Sequence, residues 1–118
     1  MRILLLTDEM LPGGIARHVT DLANGLSERG HSIVVAATDG PMQERLRSDV
    51  QFLSLSILKT GNAGKNYLRI LSSIRKIERC VRANGIEMVH SHNRLSDVIG
   101  RIAAKWAHVR HVSTCHSM

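Results

Sequence analysis

The chain has 118 residues, 43% of them hydrophobic, and no apolar run of about 18 or more, so it holds one domain's worth of core and is neither a disordered tail nor a membrane span. Sixteen Lys and Arg against ten Asp and Glu leave a formal charge of +6, which favours an anionic partner: a phosphorylated substrate, a phospholipid surface or nucleic acid. The three aromatics, Phe52, Tyr67 and Trp106, are too few for the aromatic and basic interleaving of single-strand binders, and nucleic acid is not expected. The first residues lack a signal-peptide pattern, so a cytoplasmic location is the expectation.

Arg2 to Thr7 is a continuous apolar run, the pattern of a strand buried on both faces of a parallel sheet. Leu11-Pro12-Gly13-Gly14-Ile15-Ala16-Arg17-His18 joins it to a stretch where Ile15, Val19, Leu22, Ala23 and Leu26 recur at helical spacing. Gly30 stands where a helix takes a C-terminal glycine, which predicts a helix from Gly14 to Arg29. Ser32 to Ala37 is a second strand, completing a β-α-β unit with a right-handed crossover. A short helical turn over Met42 to Asp49 and a third strand over Val50 to Leu55 follow. Ser56 to Asn66 reads as a loop, because it holds Gly61, Asn62 and Gly64. Tyr67, Ile70, Leu71, Ile74, Ile77 and Val81 then mark a helix carrying Lys65, Arg69, Arg75, Lys76, Arg79 and Arg82, stopped by Asn84-Gly85. Glu87 to Ser91 is a fourth strand, Leu95 to Ala107 a helix rich in small residues, and Arg110 to Thr114 a fifth strand. The expected fold is a single α/β domain over residues 1–118, a Rossmann-like parallel sheet with helices on both faces.

Three segments fall at equivalent places: Gly13-Gly14 after the first strand, His90-Ser91-His92-Asn93 at the end of the fourth, and Cys115-His116-Ser117 at the end of the fifth. Open parallel sheets bind ligands outside the carboxyl ends of their strands, so these segments should converge. Paired glycines admit dihedrals closed to other residues and remove a Cβ from a ligand's path, while the helix behind presents unpaired N–H groups to an anion. Pro12-Gly13-Gly14 reads equally as a plain βα connector. His90 and His92, two apart on a strand, point the same way, but no third ligand is evident and no metal is expected. In the preferred reading one histidine packs in the sheet while His92, nearer the loop, faces the cleft, where it can bond a polar substrate and serve as acid or base. No GxGxxG and no GxxxxGK[ST] occurs, and no cofactor is expected. Cys80 and Cys115, without CxxC spacing, read as reduced thiols. The basic helix from Lys65 to Arg82 is either a solvated charged face or a patch resting on anionic lipid headgroups.

Four stretches together resemble the N-terminal domain of the GT-B glycosyltransferases of the large retaining family 4, over nearly the whole chain. They are Pro12-Gly13-Gly14-Ile15-Ala16-Arg17-His18-Val19 with Leu22-Ala23 and Leu26, Arg29 to Val35, Ile86 to Asn93, and Ser113-Thr114-Cys115-His116. The resemblance implies that Gly13 and Gly14 lie near a donor diphosphate with Arg17 beside them, and that His92 is the catalytic-site histidine near the transferred sugar or acceptor. It also implies that Asn93 touches that sugar or acceptor and that His116 lines the cleft. The implied partners are a nucleotide-sugar donor, held mainly by a C-terminal domain that this sequence does not contain, and a glycan, lipid or small-molecule acceptor. Same-face attack helped by the donor phosphate needs no nucleophilic carboxylate, so Asp8 and Glu9 receive no catalytic role. The chain is expected to be an incomplete N-terminal half of a GT-B fold, inactive alone, with peripheral contact to the inner membrane face through Lys65–Arg82 and self-association through an unpaired sheet edge. The rival readings are a non-catalytic α/β module that binds an anionic ligand or membrane through the basic helix, and a nucleotide-binding regulator that uses the glycine loop.

Overall fold

The computed structural model describes residues 1–10, 13–55, 63–92 and 94–114. Strands β1 (Arg2–Glu9), β2 (Ser32–Thr38), β3 (Gln51–Ser54), β4 (Met88–Ser91) and β5 (Arg110–Ser113) form one parallel sheet in the order β3-β2-β1-β4-β5. Helices α1 (Gly14–Glu28), α2 (Ala63–Asn84) and α3 (Arg94–Ala107) alternate with the strands, as the sequence periodicity predicts. Two boundaries differ from expectation. Helix α2 begins at Ala63, inside the stretch read as loop, and the turn after β2 is a 3₁₀ segment over Pro41–Arg45. Asn24 of α1 holds that segment, donating to the Arg45 carbonyl at 3.0 Å and accepting from the Arg47 amide at 2.9 Å.

Layering follows from strand order. A right-handed crossover puts the connecting helix on one face when the chain steps one way along the sheet and on the other when it steps back. The steps from β1 to β2 to β3 place α1 and the 3₁₀ segment on one face. Reversal to β4 and β5 sends α2 and α3 to the other. Strand β1 at the reversal is therefore covered on both sides: Ile3 and Leu5 join Ala16, Val19 and Ala23 of α1, while Leu4 and Leu6 join Ile77 of α2 and Ile99 of α3. This two-sided burial is why β1 reads as an unbroken apolar run rather than an alternating one.

Helices α1, α2 and α3 all end in one way. In each, the amide two residues past the last helical residue or its cap returns to a carbonyl five back: His31 to Leu26 at 3.2 Å, Ile86 to Val81 and Val109 to Ala104, both at 3.0 Å. The intervening residue takes a left-handed conformation, at φ of 91° for Gly30, 62° for Gly85 and 59° for His108. His108 thus occupies a position where glycine is cheaper. Helix α3 comes unusually close to the sheet at Gly100, where an added Cβ would stand 2.3 Å from Ser91 Oγ and 3.0 Å from Leu6 Cδ2.

Candidate functional site at the strand reversal

The crevice between β1 and β4, where strand order reverses, is the place at which open α/β sheets take ligands. Its walls are the β1–α1 turn and the end of β4. Helix α1 starts at Gly13 with no side-chain cap, and its first turn has no acidic residue, so among the described residues no side chain claims its leading N–H groups. A Cβ added to Gly14 would meet nothing within 4 Å, leaving open space beside that turn. The dihedral argument for the glycine pair does not hold. Gly13 is extended at φ 170° and Gly14 is helical, conformations open to any residue, so what Gly14 supplies is room. Arg17 lies one turn into α1, exposed, its amide bonded to the Gly13 carbonyl at 3.0 Å.

His92 is placed differently from expectation. It is fully buried, whereas His90 is only half-buried, so the histidine nearer the loop is the enclosed one. Both its backbone amide, at 3.0 Å, and its ring Nδ1, at 3.3 Å, approach the Leu6 carbonyl at the end of β1. A carbonyl oxygen only accepts, so Nδ1 is the donor in this contact and carries a ring proton. The His90 ring lies 4.2 Å from that of His92, as two residues on one strand face require, and the His18 ring from α1 meets it edge-on at 5.8 Å. His90 Nε2 is hydrogen-bonded to the Thr114 hydroxyl just past β5. The structure thus brings His92 against His18, which lies one helical turn after Gly14, and places Gly13, Gly14 and Arg17 in the first turn of that same helix. Asn93 and His116 lie outside the described residues. No group of three His, Cys, Asp or Glu among the described residues is arranged to hold a metal ion.

Two features beside the crevice have no sequence signal. The register of β1 against β2 shifts between Leu6 and Glu9, an irregularity that lets Asp8 reach across to α3. There its carboxylate accepts from the Ser96 amide at 3.2 Å and from the Ser96 hydroxyl, tying the first turn of α3 to β1. On the α3 face, Ser91 Oγ is hydrogen-bonded to His111 Nε2 at 2.9 Å, and Asp97 accepts from Ser113 and Arg101 and lies 3.6 Å from the same His111 nitrogen. Serine and carboxylate share one nitrogen and Ser91 is wholly buried, so this cluster is no relay for a nucleophile. Burial pushes the His111 pKa down, opposed by the Asp97 charge and aided by Arg101. Burial likewise raises the Cys80 thiol pKa, which makes it unreactive.

Comparison with known structures returns the same architecture. The chain resembles a glycosyltransferase from Rickettsia africae at a TM-score of 0.76 and 18% identity, covering 98% of this chain and 30% of that one. It resembles the sucrose-phosphate synthase of Thermosynechococcus elongatus at 0.75 and 14%, covering 99% and 33%. The C-terminal domain of a Pyrococcus furiosus hydrogenase also matches, at 0.70 and 13%, covering 97% and 90%, so the likeness concerns the fold alone. The chain spans about a third of the length of the Rickettsia africae glycosyltransferase and of the sucrose-phosphate synthase. No curated protein matches the sequence. No helix among the described residues is long and apolar enough to cross a membrane. The model of Glycosyltransferase Family 4 matches residues 12–118, from the glycine turn through all five strands but the first, and the chain belongs to that family.

Proposed function

We propose that this chain is the acceptor-side N-terminal domain of a retaining glycosyltransferase, which moves a sugar from a nucleotide-sugar donor to a glycan, lipid or small-molecule acceptor. The observation that carries the reading is that the family match runs through a glycine turn and a buried histidine on the two sides of one strand-reversal crevice. The donor diphosphate approaches Gly13 and the first turn of α1, where Gly14 leaves room, uncapped N–H groups face an anion and Arg17 supplies a positive charge. His92, with Nδ1–H committed to Leu6, offers Nε2 to the sugar or acceptor, which reaches it by displacing the exposed His18 side chain. Asn93 contacts the same substrate and His116 lines the cleft. Donor binding resides mainly in a second domain, so this chain alone is inactive.

A transfer assay on this chain and on a protein that joins it to a C-terminal GT-B half tests the reading. Turnover is expected only from the joined protein; turnover by this chain at an ordinary enzymatic rate overturns the assignment of donor binding to a second domain. In the joined protein His92→Ala should lower kcat by about a hundredfold or more, the scale of a lost acid or base. Loss of activity no greater than the loss of folded protein makes His92 a core residue instead.

A further inference from the structure

We propose that the outer surface of the α2–α3 layer is a docking platform for an anionic phospholipid bilayer. Helix α2 carries six Lys or Arg and one Glu, a net +5 of the chain's +6, so the rest of the molecule is close to neutral. That charge is on one side. Ile70, Ile74, Ile77 and Val81 turn to the core, while Lys65, Arg69, Arg75, Lys76, Arg79 and Arg82 are all exposed. The flanking Glu78 is already bound to Arg82 at 3.2 Å. Helix α3 packs alongside on the same sheet face and adds exposed Arg101 and Lys105; its Asp97 is bound to Arg101 at 3.2 Å. The two helices are tied together, Arg82 donating to the Trp106 carbonyl at 2.8 Å. Both acids of this surface are therefore paired within it, and its field is positive.

Large apolar side chains stand among the cations. Leu68 of α2 is 64% exposed and Val98 of α3 is 54% exposed. A bilayer matches this combination, with anionic headgroups for the cations and acyl boundary for the apolar side chains. A nucleic-acid backbone matches the charge but offers Leu68 and Val98 nothing, whereas Tyr67 of α2 and Trp106 of α3, both exposed, are the amphipathic rings that settle at the headgroup level of a bilayer. The crevice opens at the strand ends and the platform covers a sheet face, so docking leaves the crevice accessible. The inference stands or falls apart from sugar transfer, because its readout is binding.

The test is co-sedimentation of this chain with phosphatidylcholine vesicles that contain phosphatidylglycerol, against phosphatidylcholine alone. Binding is expected only to the anionic vesicles and should fall steeply between about 0.1 and about 0.5 M salt. Replacing Arg75, Lys76 and Arg79 together by Gln should weaken it by about a hundredfold, each cation near such a surface being worth most of a factor of ten. Replacing Arg29, Arg45 and Arg110, exposed elsewhere, by Gln removes the same net charge and should change binding little. Leu68→Ala should weaken it a few-fold at every salt concentration. All are exposed positions, and an unchanged far-ultraviolet dichroism spectrum certifies each variant as folded. Equal weakening by the two triple variants, absence of binding to anionic vesicles, or tighter binding to DNA at matched phosphate concentration each overturns the proposal.

Discussion

The two faces of the sheet are finished to different degrees. On one, α2 and α3 lie side by side across the strands, and their apolar stripes close a single core around Leu4, Leu6, Val89 and Ile99. On the other, α1 covers β1 and β2, so that Leu5, Val35 and Val19 are fully enclosed while the β4–β5 half is open: His90 is half-buried, Arg110 exposed and Val112 41% exposed. The difference comes from where the chain reverses direction. Two helical crossovers serve the first face and one serves the second, so the crevice lies where coverage by α1 runs out, next to His18, His90 and His92. The candidate site residues sit beside a gap in the packing, and the fully packed face carries none of them.

Substitutions can break that comparison. Leu5→Ala and Leu6→Ala point to opposite faces, and both should cost about 2–5 kcal/mol in urea unfolding, because β1 is buried on both sides. A small cost for Leu5 alone would mean that the α1 face is loosely packed even over β1. Gly100→Ala should cost about 1–3 kcal/mol despite alanine's better helix propensity, since the new methyl runs into Ser91 and Leu6. A neutral result would show that α3 can lift from the packed face. His108→Gly should stabilise by about 1 kcal/mol by relieving a left-handed residue at the end of α3, read as a raised urea midpoint.

His111 gives a smaller, pH-dependent effect on the packed face. Its folded pKa is depressed by burial, so the unfolded chain takes up the proton first as pH falls. The stability it contributes is complete above the ordinary histidine range and is lost as pH drops through that range and below. Unfolding midpoints of the native chain and of His111→Gln should therefore differ more at pH 7 than at pH 5; a constant difference would show that the Ser91 and Asp97 contacts hold the charged ring as well as the neutral one. Val112→Ser, on the open half of the other face, should change stability by no more than about 0.5 kcal/mol. A larger loss would mean that this half is covered in solution.

Much of this was legible in the residues. Apolar periodicity, β-branched runs and the glycines at 30 and 85 located five strands and three helices, because those signals are local: a helix face repeats every three to four residues and a left-handed cap favours a glycine. The family pattern picked out Gly13, Gly14, Arg17 and His92, and the parallel order puts the start of α1 and the end of β4 on the same edge of the sheet. The sequence by itself thus determined the elements, their order and the strand ends that carry polar residues. Only the tertiary structure decided which histidine is enclosed, that Asp8 crosses to Ser96, that Gly100 is needed for close approach and that Gly14 supplies space while neither glycine of the pair takes an unusual dihedral. Each of these depends on what a second element, distant in sequence, brings within a few ångströms, and no local repeat along the chain encodes that neighbour.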